Sequence, residues 1–281
     1  MKLDNGVISI EVANHGAELK SAVKNGREYM WCGDAKYWGR TSPVLFPNVG
    51  RLKGNQYTLD GKVYTMGQHG FARDMDFELL NSDDNSVTYI LESNEETLEK
   101  YPFDFSLAIS YTLENSSVKV GWKVENKGGS VMSFSIGAHP AFNLKDGENY
   151  FRFDNAGDII YNLIDESGFY AADNKHILKN DGFVKIENSM FDNDALIVEN
   201  NQASEVSLCD SKKKPYVTVK FAMELFGLWS PVKMNAPFVC IEPWCGRCDR
   251  NDFEGEISER DYIINLGAGK TFEAGYEIEL L

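Results

Sequence analysis

Val118-Lys119-Val120-Gly121-Trp122-Lys123-Val124 alternates apolar and polar side chains along its whole length. That spacing sends successive residues to opposite faces of an extended chain, so the segment reads as a half-buried strand. Ser86-Val87-Thr88-Tyr89-Ile90-Leu91 and Val7-Ile8-Ser9-Ile10-Glu11-Val12 repeat the pattern. Tyr57-Thr58-Leu59 and Lys62-Val63-Tyr64 flank Asp60-Gly61, a dipeptide that takes the positive φ values of a two-residue hairpin turn. Residues 105–113, 131–136, 217–221, 238–242 and 272–280 read as further strands between Asn-, Gly- and Asp-rich turns. Only residues 94–100 read as a short helix.

Strands this dense, without alternating amphipathic helices, predict an all-β protein of antiparallel sheets packed face to face. The 13 Tyr and 17 Phe suit that reading. Residues 1–281 carry no repeat, low-complexity tract or Ser/Pro linker, so a single domain is expected. The formal charge of −15 repels phosphate backbones and anionic headgroups, so neither nucleic acid nor a membrane surface is expected as a partner. The first residues show no apolar signal core, and no apolar run is long enough to span a bilayer. A cytoplasmic protein is expected, with Cys32, Cys209, Cys240, Cys245 and Cys248 as reduced thiols.

Four segments concentrate rigid, polar and aromatic residues beyond what strands require. They are Phe46-Pro47-Asn48-Val49-Gly50-Arg51, Gly67-Gln68-His69-Gly70-Phe71-Ala72-Arg73, Gly137-Ala138-His139-Pro140-Ala141-Phe142 and Cys240-Ile241-Glu242-Pro243-Trp244-Cys245-Gly246. His69 and His139 sit among small and turn-forming residues that leave an imidazole accessible. Glu242 ends an apolar run, where a desolvated carboxylate needs a partner. Each residue alone also has a plainer reading, as a turn histidine, a salt-bridge carboxylate or a surface arginine.

Together the residues resemble a known family. Asn48-x-x-Arg51, the string from Gln68 to Arg73, Ala138-His139-Pro140, Phe191-Asp192-Asn193-Asp194-Ala195-Leu196 and Ile241-Glu242-Pro243-Trp244 are similar, in order and over nearly the whole chain, to aldose 1-epimerases (galactose mutarotases), most closely the LacX-like branch. The resemblance implies a galactose mutarotase-like β-supersandwich with a sugar cleft on one sheet. It implies His139 as general acid at the ring oxygen, Glu242 as general base at the anomeric hydroxyl, and His69 beside the reacting centre. It also implies Arg51 on the sugar oxygens and a binding aspartate, for which Asp194 aligns better than Asp192. Asn48 and Arg73 complete the expected polar contacts, and Phe71, Phe142 and Trp244 are candidates for stacking on the apolar face of a pyranose.

Mutarotation removes the proton of the C1 hydroxyl and protonates the ring oxygen. An acid and a base suffice, and neither a metal nor another cofactor is expected. On this reading the base and acid flank a space one pyranose wide, and nearby carboxylates raise the imidazole's pKa. Arg51 and Arg73 around the first histidine keep a hexose-6-phosphate substrate open, since arginine clamps phosphate in bidentate fashion. A sugar-binding protein without turnover is the reading from another class. Cys245-Gly246-Arg247-Cys248 resembles half of a structural zinc site but has no second pair. The expected partner is a small-molecule sugar, and a homodimer is left open.

Overall fold

A computed structural model describes residues 1–281. Two large antiparallel sheets dominate it. One has nine strands in the order 184–185, 150–153, 205–209, 215–221, 271–280, 117–126, 105–114, 86–92 and 78–82. Its long central ladder, Phe105–Glu114 on Ser117–Asn126 on Thr271–Leu280, is built from the alternating segments that sequence singled out. The expected hairpin forms between Gln56–Leu59 and Lys62–Thr65, with Asp60 at φ 50° and Gly61 at φ 75°. The helix, Glu95–Lys100, is capped by Asn94, whose side chain accepts from the Thr97 N–H.

The second sheet carries the site. Its strands are β1 (Val44–Leu45), β2 (Ile136–Ala138), β3 (Ala141–Asn143), β4 (Ile159–Ile164), β5 (Tyr170–Leu178), β6 (Leu196–Val198), β7 (Leu225–Trp229) and β8 (Phe238–Cys245). They pair in the order β5-β4-β6-β7-β8-β2-β1, and β3 also pairs with β8. Alternation along β8 sends Val239 and Ile241 into a core of 60 buried residues that draws on the chain from Leu3 to Leu280. Phe238, Cys240, Glu242 and Trp244 take the opposite face. Along β7, Phe226 and Leu228 enter the same core, whereas Leu225, Gly227 and Trp229 share the face of Glu242.

One expected strand is corrected. Residues 131–136 split into Met132–Phe134, paired with Ile264–Leu266, and β2, paired with β8 and β1. The break falls at Ser135, whose N–H donates to the Pro47 carbonyl and whose Oγ accepts from the Val49 N–H. Gly246, at φ 117°, leaves room for it: a Cβ there would sit 2.3 Å from the Ser135 Cβ. The chain changes sheets at this point, bringing segment 46–51 against the start of β2. No helix is long and apolar enough to cross a membrane.

Candidate active site

On the outer face of the second sheet lies a cleft of about 380 Å³, within the size range of small-ligand sites. His69, His139, Glu242, Arg51, Arg73, Asp194 and Trp244 all line it, together with Trp38, Arg40 and Trp229. Glu242 projects from β8 opposite Gly227 of β7. His139 follows β2 and precedes Pro140, so the chain turns back into β3 with its imidazole over the same strand.

His139 Nε2 and Glu242 Oε2 are 3.3 Å apart, with side chains 9 % and 1 % exposed. The expected pyranose-wide gap between them is therefore absent. The reason is register: Gly137 pairs with Trp244 and Ala141 with Cys240, which sets His139 across from Glu242. The second atom of each group, His139 Nδ1 and Glu242 Oε1, is buried without a hydrogen-bond partner. Trp38 stacks on the His139 ring at 4.7 Å between centroids, and Trp229 meets it edge-on at 5.1 Å.

The electrostatics also depart from expectation. Burial pushes the His139 imidazole down to about 3, with Arg73 and Arg40 adding to the shift. Burial, reinforced by the Asp194 charge, holds Glu242 well above the usual carboxylate range. Desolvation disfavours both charged forms and outweighs the expected upward pull on the imidazole. Both shifts favour the net-neutral form of the pair with its proton on Glu242.

His69 adopts φ 65°. Its N–H donates to the Gly50 carbonyl, and the Gly50 N–H donates back to His69 Nδ1. A backbone N–H can only donate, so Nδ1 accepts and the neutral ring carries its proton on Nε2. Burial, then the neighbouring His139 and three arginines, hold its pKa well below 6.5. Gly70 makes the loop possible, because a Cβ there would lie 2.2 Å from the Phe46 carbonyl oxygen. That oxygen accepts from the N–H groups of Phe71 and Ala72.

Three sequence assignments change. Phe71 is not in the cleft: it packs into the main core against Phe46, Tyr101 and Phe105. Asn48 is buried behind the cleft wall and donates through Nδ2 to the Gly50 carbonyl, supporting the loop that holds His69. Phe142 lies fully buried in the core. Trp244 does reach the cleft, wedged between two glycines. A Cβ on Gly137 would lie 2.7 Å from its Cδ1, and one on Gly227 2.4 Å from its Cη2. Asp194, at φ 72°, lines the cleft, whereas Asp192 faces an adjoining depression with Asn174 and His176.

Sequence reasoning missed Trp38, Arg40 and Trp229. Trp38 and Arg40 lie in an irregular loop with no alternation to mark it, and Trp229 ends an unbroken apolar run. The available signal was compositional, a Trp-Gly-Arg tripeptide in a turn-rich segment. Arg40 and Arg73 lie on either side of Asp74, at 2.7 Å and 3.6 Å. Arg73 also donates to the Gln68 carbonyl, and Arg51 Nε and His69 Nε2 both face the Gln68 side-chain amide, each at 3.3 Å.

The family profile described as Aldose 1-epimerase matches residues 1–264. The protein LacX of Lactococcus lactis is 29% identical over 297 residues, covering 100% of this chain and 99% of that protein. A galactose mutarotase related enzyme from Lactobacillus acidophilus superposes with a TM-score of 0.94 at 36% identity, covering 100% of this chain and 97% of the other. A galactose mutarotase-like protein from Lactobacillus casei gives 0.93 at 29% identity, covering 100% and 99%. The chain is thus an isomerase-type enzyme that belongs to the aldose 1-epimerase family, in which it is similar to LacX.

Proposed function

We propose that the protein interconverts the α- and β-anomers of a free aldohexose such as galactose or glucose, with His139 and Glu242 as its proton-transfer pair. The observation that carries this reading is the 3.3 Å approach of Nε2 to Oε2 at the cleft floor. In the imidazolium–carboxylate form of the pair, Glu242 takes the O1 proton as His139 protonates the ring oxygen. The C1–ring-oxygen bond breaks and C1 becomes an aldehyde. The pair is then left as neutral imidazole and carboxylic acid, the form that burial favours. Rotation about C1–C2 and the reverse transfers close the ring on either face. His69 Nε2–H, Asp194 and Arg51 are the proposed sugar contacts, and Trp38 and Trp229 hold the imidazole plane.

A second reading is favoured by one observation: Arg40, Arg51 and Arg73 all line the cleft of a protein whose net charge is −15. Three guanidinium groups beside a neutral pair suit an anionic substituent, so a hexose 6-phosphate is the competing substrate. NMR exchange between anomers, measured on galactose, glucose and their 6-phosphates with catalytic amounts of protein, decides. Enhanced exchange of the free hexoses supports the first reading. Enhancement confined to the phosphates supports the second, and enhancement of none leaves a binding protein.

A further inference from the structure

Cys240 takes no part in this chemistry, yet it lies fully buried on the cleft face of β8, two residues before Glu242. Its Sγ, a ring nitrogen of His139 and a carboxylate oxygen of Glu242 all lie within 4.8 Å of one another. Zinc with bonds of about 2.0–2.3 Å in tetrahedral geometry sets neighbouring donor atoms about 3.3–3.8 Å apart, so a thiol shift of about 1 Å closes the set. His139 Nε2 and Glu242 Oε2 already stand at 3.3 Å. Glu242 is 1 % exposed, and its other oxygen, Oε1, is buried without a partner. The carboxylate therefore has coordinating capacity that no protein group uses. Three protein donors leave one position of a tetrahedral ion open. Thiolate, imidazole and carboxylate together select zinc, cobalt or cadmium over magnesium or calcium. The Cys245 and Cys248 pair contributes no donor to this cluster.

We propose that Cys240, His139 and Glu242 form a binding site for a thiophilic divalent cation, zinc first, and that filling it stops turnover. Binding releases the protons of Cys240 and Glu242 to solvent and occupies the Nε2 lone pair and the carboxylate. The pair then has no means of serving O1 and the ring oxygen. Metal binding stands on the geometry alone, whereas inhibition rests on the roles proposed above for His139 and Glu242.

Cobalt(II) titration of the intact protein should produce a thiolate-to-cobalt charge-transfer band that saturates at a single equivalent. The band should vanish in both Cys240→Ser and Cys240→Ala and persist in Cys248→Ser. Zinc should bleach it by displacement. Zinc should also inhibit anomer exchange, and at least ~10-fold more weakly in the Cys240 variants, each compared with its own metal-free rate. No band in the parent, or one that survives both Cys240 substitutions, overturns the site. A Cys240-dependent band in a protein that exchanges no sugar keeps the metal site and removes the sugar reading instead.

Discussion

Glu242 is the least exposed charged group in the cleft, at 1 %, and its environment carries two consequences. As a partner in proton transfer it acts in the transition state, so Glu242→Gln and His139→Asn should each lower kcat by ~10²-fold or more with little change in sugar affinity. Near-parent turnover in either variant would move the role to another group, Asp194 first. The pH–rate profile should be a bell displaced from that of an ordinary imidazole–carboxylate pair. Its acid limb, set by protonation of His139, should fall towards pH 3, below the limb that an ordinary carboxylate base would set. Its alkaline limb follows loss of the pair's proton from Glu242, above the usual carboxylate range. This residue-level detail was only partly legible in sequence. The motifs nominate His139 and Glu242, but burial decides the charge of each, and the rings that cover His139, Trp38 and Trp229, lie in no motif.

At the scale of elements, the cleft floor depends on how β2, β7 and β8 accommodate Trp244. Its indole lies across the sheet where Gly137 and Gly227 leave no Cβ. Gly227→Ala would place a methyl 2.4 Å from the ring beside a strand that cannot move aside. The expected cost is about 1–3 kcal/mol of stability, with lower activity because Glu242 is the register partner of Gly227. Trp244→Phe in that background should recover part of the loss. Additive urea-denaturation free energies in the double mutant would show that the two positions are not in steric conflict. The element pattern also shows what periodicity reveals. The long ladders of the nine-stranded sheet alternate cleanly and were legible, as was the Asp-Gly hairpin. β6 and β7 are apolar on both faces, β5 carries its polar residues in one run, Asp173 to His176, and none of them alternates. The split at Ser135 was hidden as well, because a change of sheet leaves no period-two signature. Phe71 illustrates the converse: a motif aromatic beside a cleft histidine turns inward, since its N–H is bound to the Phe46 carbonyl and its ring fills space against Phe105.

At the scale of the whole molecule, pH acts on stability through groups that burial has shifted. A histidine whose folded pKa is depressed contributes stability that is complete above the unfolded value of 6.5 and is lost as pH falls towards the folded value. His69 and His139 both act this way. Glu242, with a raised folded pKa, contributes stability that is complete below the unfolded value of 4.5 and is lost as pH rises towards its folded value. As pH falls from 6.5, the unfolded chain gains a proton at His139 that the folded chain does not, while the raised folded pKa of Glu242 acts in the opposite sense. His69 adds to the loss of stability as pH falls below 6.5, because only the unfolded chain gains its proton there. Over the same range, protonation of exposed carboxylates relieves the self-repulsion of a chain at −15 and opposes unfolding. Acid destabilisation in this window thus includes a contribution from His69. His69→Asn tests it, because asparagine tolerates the positive φ that His69 adopts. Urea unfolding at pH 6.5 and 4.5 should show the variant losing less stability than the parent. Parallel losses in the two proteins would mean that His69 is protonated in the folded state. The neutral Nε2–H donor assigned to it in the cleft would then be wrong as well.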